Sequence, residues 1–164
     1  MELTSRKAPR ALVGTRCDAT VSFGSTSFSC RLLQVGTGGV LLGIDQRMAL
    51  PERFEVSFCV PGNPETFEET VDLRHRMPRG GFRLDLEQPT AGCQFVYLGS
   101  TVKQAVLAFM EQQRTTLKQL QFGLALMPPS PRVPEYATKL GVNAQMPVPQ
   151  LQQLVTWSIK QLTN

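Results

Sequence analysis

Arg6, Lys7 and Arg10 stand close together near the start of the chain, with Pro9 beside Arg10. Two arginines four apart on an extended segment present two planar guanidinium forks. Such forks suit guanine edges and phosphates better than any other side chain. A second stretch, Gln34-Val35-Gly36-Thr37-Gly38-Gly39, is a glycine-rich turn between apolar runs. A turn so short of side chains lets a ligand come close to the backbone. Neither stretch is specific alone, so the elements that would bring them together decide their meaning.

Pro9 blocks a helix through Arg10 and keeps the first fourteen residues an extended, mobile arm. Alternation then marks strands. Cys17, Ala19, Val21 and Phe23 face one way and Asp18, Thr20 and Ser22 the other. Phe28, Cys30 and Leu32 mark a second strand ending at Gln34, and residues 40–44 follow the glycine turn as a third. Residues 54–60 and 67–77 alternate in the same way, the latter with Phe67, Val71, Leu73 and Met77 opposite Glu68, Asp72, Arg74 and Arg76. Phe82, Leu84 and Leu86 continue the sheet, and residues 92–98 close it. Six or seven short strands separated by turns predict a small barrel or sandwich.

The period then changes. Val102, Val106, Phe109, Met110, Leu117 and Leu120 share a helical face, and Thr101 with Gln104 fits a capping box. Residues 127–134 are proline-rich and predict a linker. A short helix over 134–140 should end at Gly141, and Leu151, Leu154, Val155, Ile159 and Leu162 form a last amphipathic helix. Residues 104–164 hold ten glutamines, which suits packing on this domain, on a second copy or on a partner.

Composition narrows the function. Residues 1–101 carry 11 basic and 11 acidic side chains, whereas residues 102–164 carry six and two. That mild, uneven excess does not argue for DNA binding. No apolar run reaches bilayer-spanning length, and no secretory signal is present. Cys17, Cys30, Cys59 and Cys93 lack CxxC spacing and sit in apolar stretches, so buried free thiols in a reducing cytoplasm are expected. His75, the single histidine, offers neither a zinc site nor a Cys–His pair. With no nucleophile–base pair, metal cluster or phosphate-binding helix turn, enzyme activity is not expected.

The order of these elements resembles the PilZ family, small β-barrels that bind the bacterial second messenger cyclic di-GMP. The family's marks are RxxxR on an arm and (Asp/Asn)-x-Ser-x-x-Gly about two strands later. Arg6 and Arg10 match the first, and Gln34–Gly39 falls where the second belongs, between Cys30-Arg31-Leu32-Leu33 and Val40-Leu41-Leu42. The resemblance covers about residues 4–120. Gln34 stands at the acid position and Gly36 at the serine position, while Gly39 keeps the final glycine.

The resemblance implies a mostly β fold with C-terminal helices: a six- to seven-stranded antiparallel barrel, one packing helix and a helical extension. Residues 1–122 would form the barrel unit and 123–164 the extension. Arg6 and Arg10 would hold the dinucleotide, followed by Gln34 and Gly39, then Lys7, Gly36 and Thr37. Exchanging the acid for an amide costs roughly 1 kcal/mol, and losing the hydroxyl about 0.5–1.5 kcal/mol more. Together these weaken binding about ten- to a hundredfold. The implied function is a cytoplasmic cyclic di-GMP receptor whose arm closes on the ligand and alters a surface read by a motility, pilus or polysaccharide component. The alternative is an adaptor that has lost the ligand and acts through its C-terminal helices, with homodimerisation through those helices as one form.

Overall fold

A computed structural model describes residues 9–14, 17–45, 47–77 and 89–163. The chain runs through β1 (Arg10–Leu12), β2 (Asp18–Phe23), β3 (Thr26–Gly36), β4 (Gly39–Gly43), β5 (Arg53–Cys59), β6 (Thr66–Met77) and β7 (Thr90–Phe95). Three helices follow, α1 (Ser100–Ala125), α2 (Val133–Leu140) and α3 (Val148–Thr163). Every pairing is antiparallel, and β2–β3–β4–β7–β6–β5 closes back on β2 as a six-stranded barrel. Closure pairs both edges of each of these six strands, which suits strands this short. The barrel interior holds the alternating apolar residues, among them Val21, Val35, Val40, Val56, Phe58, Val71 and Cys93.

β1 is the strand the alternation does not announce. The arm predicted to be mobile through Gly14 is, from Arg10 to Leu12, a strand hydrogen-bonded to the end of β3. Ala11 and Val13 enter the core, so apolar burial as well as backbone bonding holds them there. The long β3 makes this possible, because β2 pairs with its first half and β1 with its last three residues. The segment predicted as a strand at residues 82–86 lies outside the described residues, as do Arg6 and Lys7.

Two local expectations are corrected. Thr101 is not a cap: α1 begins at Ser100 behind Gly99, with no side-chain cap bond, and Lys103 N–H donates to the Gly99 carbonyl at 2.9 Å. The sixth strand does not keep one face throughout. Its pairing with β7 slips between Leu73 and His75, making Arg74 an extra, bulged residue. Arg76 therefore turns away from Arg74 and donates to the carbonyls of Met48 (2.6 Å) and Asp45 (3.1 Å). Met77, predicted to face the core, is exposed. All four cysteines are free, but only Cys30 and Cys93 are buried and Cys17 and Cys59 are half-covered.

The helices cover the outer face of β1 and β3. α1 packs on both strands, α3 on β1 and α1, and α2 on α1. Val133, Ala137, Leu140, Leu151 and Val155 join the same core as the barrel. Gly141 ends α2 as predicted, in the left-handed region at φ 89°, with its N–H and that of Val142 turned back to Thr138 and Ala137. Gln113 of α1, itself buried, donates from Nε2 to the Leu12 carbonyl at 2.8 Å. The same cover buries Gln34, which is cross-strand partner to Leu12 and only 1% exposed. Its Nε2 has no hydrogen-bond partner among the described residues. A buried, unmatched amide opposes folding. Gln34→Leu is therefore expected to raise the Tm by about 2–4 °C. Thermal melting by circular dichroism checks this, and a lower Tm would show that the amide is bonded.

Candidate functional site

The register of β1 and β3 sets Arg10 opposite Gly36. The two share the outer face of the sheet with Leu12 and Gln34, because Ala11 and Val35 point into the barrel core. The helices close the Leu12–Gln34 end, whereas Arg10 stays half-buried. Gly36 is glycine for lack of space: a Cβ there would run into the Pro9 carbonyl and sit 3.1 Å from Cγ of Arg10. The Arg10 side chain thus lies directly over Gly36. Its Nη2 then reaches the carbonyl of Cys93 on β7, at 3.4 Å. That is long for an N–H···O bond.

Gly39 clears the path. It pairs with Gln94 across β4 and β7, and a Cβ at Gly39 would strike the Cys93 carbonyl that Arg10 reaches. Thr37 and Gly38 form the hairpin turn beside it, both half-exposed. The structure therefore gathers Arg10, Gly36, Thr37 and Gly39 at one end of the barrel. It sets Gln34 on the same face but beneath the helices. Burial pushes the Cys93 thiol up to about 12, although Arg10 and Arg76 pull the other way. A thiol so shielded is no nucleophile at neutral pH.

Further side chains flank this face. Gln94 is exposed, and its Oε1 accepts from Nε of Arg74 at 2.6 Å. Asp72, also opposite Gln94, is held by a bidentate pair from Arg53 at 2.7 and 3.2 Å. Hydrogen bonding to Arg53 keeps the Asp72 carboxyl below its usual range, with smaller help from the charges of Arg53 and Arg74. The pattern Gly92-Cys93-Gln94-Phe95 already points Gln94 outward, but only the pairing reveals that it borders Gly39. The bulge at Arg74 leaves no mark in the alternation. Among the described residues, no group of three or more His, Cys, Asp or Glu could hold a metal ion. No described helix is long and apolar enough to cross a membrane.

No protein-family model matches the chain, and no curated protein matches it by sequence. Solved structures do. The chain resembles the inhibitor of motility MotI/DgrA of Bacillus subtilis with a TM-score of 0.53 at 10% identity, covering 70% of this chain and 54% of that one. It resembles the PilZ domain of Escherichia coli YcgR, solved with c-di-GMP, with a TM-score of 0.52 at 17% identity, covering 71% of this chain and 97% of that one. The YcgR crystal structure in complex with c-di-GMP gives a TM-score of 0.53 at 15% identity, covering 70% and 48%. The chain thus spans about half the length of the MotI/DgrA and YcgR chains. At these identities the likeness is one of fold, and the fold is that of a PilZ-like β-barrel.

Proposed function

We propose that the protein is a receptor for cyclic di-GMP that passes the binding event to a partner protein. The observation that carries this reading is the β1–β3 register, which lays Arg10 across Gly36 and in front of Gly39. The arginine arm and the glycine turn, separate in sequence, meet in one place. Two of the similar structures hold c-di-GMP on this fold. In the proposed complex Arg10 leaves its long contact with the Cys93 carbonyl and takes a guanine edge or phosphate, which offers a stronger acceptor. Gly36, Thr37 and Gly39 admit the ligand to the backbone. Arg6 and Lys7, outside the described residues, take the same role as Arg10, and the closure of the segment ahead of Pro9 over the ligand is the change that the partner reads. Gln34 contributes by its place under the helices and not by contact.

Isothermal calorimetry of the whole chain with cyclic di-GMP tests the proposal. Binding is expected, with Arg10→Ala weakening it roughly 10- to 100-fold. No heat at tens of micromolar folded protein would sink the receptor reading.

One observation favours the adaptor as a second reading. At the end of α1, Phe122 is 70% and Met127 93% exposed, beside a groove of about 360 Å³ lined by Lys118, Phe122, Leu126 and Tyr136. The two acids of residues 102–164, Glu111 and Glu135, are already paired with Arg114 and with Arg132 and Lys139. The groove is thus largely apolar with Lys118 in its lining, which fits an acidic segment with an apolar anchor. The double variant Phe122→Ser/Met127→Ser is expected to lose a partner that the purified wild-type chain binds, while keeping its affinity for cyclic di-GMP. A wild-type dimer in sedimentation that the double variant abolishes would assign the patch to self-association instead.

A further inference from the structure

We infer that Arg74 and Gln94, on β6 and β7, form a second ligand edge beside Arg10 that selects guanine. The inference rests on the receptor reading above and adds to it two residues that neither sequence mark contains. Burial of Gln34 leaves the acid position of the second mark without a group at the surface. The nearest exposed polar side chain across from Gly39 is Gln94, its direct partner on β7. Arg10 arrives at the same place from the other side, since the Cys93 carbonyl it reaches belongs to the residue before Gln94.

The Arg74–Gln94 contact fixes which atoms face outward. Nε of Arg74 donates to Oε1 of Gln94 at 2.6 Å, and both residues are exposed. That bond occupies the acceptor of the amide and one donor of the guanidinium. The terminal nitrogens of Arg74 and Nε2 of Gln94 are not spent in it, and all of them are donors. A set of donors suits an edge made of acceptors. Guanine presents O6 and N7 as paired acceptors, whereas adenine places an amino donor where guanine has O6. The arginine fork therefore favours guanine over adenine as well as attracting phosphate.

The surrounding charge agrees. Arg10, Arg53 and Arg74 lie along this face, and the Asp72 carboxylate opposite Gln94 is tied to Arg53 by two bonds. Guanidinium groups so placed suit a ligand with two phosphates. Arg74 is also the bulged residue of β6, next to the inward Leu73 and two positions beyond the Asp72–Gln94 pair.

The test compares cyclic di-GMP with cyclic di-AMP by calorimetry, using the wild-type chain and Arg10→Ala, Arg74→Ala, Arg74→Lys and Gln94→Ala variants. Both side chains are exposed, so the variants should melt like the wild type, which circular dichroism checks. Arg74→Ala is expected to lose about tenfold or more for cyclic di-GMP and less for cyclic di-AMP, narrowing the preference. Arg74→Lys, which keeps charge without the fork, should not restore that preference. Gln94→Ala should give a smaller loss in the same direction, because it frees Arg74 from its prop. If Arg74→Ala binds cyclic di-GMP as tightly as the wild type while Arg10→Ala does not, this inference falls and the receptor reading stands. If the wild-type chain binds no cyclic di-GMP, both fall.

Discussion

Three residues of β1 decide where the chain's chemistry can happen. Arg10, Ala11 and Leu12 are fixed by backbone bonds to β3 on one side, and the Leu12 carbonyl takes a buried bond from Gln113 of α1 at 2.8 Å. Ala11 and Val13 add burial in the barrel core. A strand this short gains too little from its own pairing to stay ordered against the entropy of the chain. Its position depends on the long β3, which has room for a second partner beyond β2, and on the helix behind it. The C-terminal helices are thereby tied to the scaffold of the candidate site. α1 supplies Gln113, and α3 packs on β1 as well.

The electrostatics of the face follow from that anchoring. From that fixed backbone Arg10 extends over Gly36 and reaches the Cys93 main-chain carbonyl beside Gly39. A neutral carbonyl at 3.4 Å holds a guanidinium weakly, whereas a phosphate or guanine edge can take two bonds from the same fork. The glycines keep this choice open. A side chain at Gly39 would fill the space before the Cys93 carbonyl, and one at Gly36 would push Pro9 and Arg10 off β3.

Much of the fold was legible because period is a strong signal. The alternation of residues 17–23, 54–60 and 67–73 set strands that the structure places within a residue or so, and the apolar stripe from Val102 to Leu120 set α1. β1 was not legible, since three residues behind a proline show no period, and what holds them is a glutamine a hundred positions later. The bulge at Arg74 was hidden for a related reason: a single added residue reverses the facing of everything after it without altering composition. The capping box failed because matching residues at the right spacing are not sufficient. Gly99 precedes the helix in an extended conformation, which puts Thr101 inside the first turn. Of the site, the arginine and the glycines could be named from spacing. The exposed pair Arg74 and Gln94 could not, because their meeting depends on which strands pair and in what register.

The two departures from the second PilZ mark are better explained by packing than by decay. An acid at position 34 would sit opposite Leu12, where Gln34 is 1% exposed and its Nε2 finds no partner among the described residues. A carboxylate there would lose its hydration, a larger cost than burying an amide. A serine at position 36 would put its Cβ into the Pro9 carbonyl and break the close approach that seats Arg10. Position 34 thus belongs with the helical cover and position 36 with the seat of Arg10 on β3. Polar groups on this face must then lie beyond the helical cover, toward β7 and β6, where Gln94 and Arg74 stand exposed.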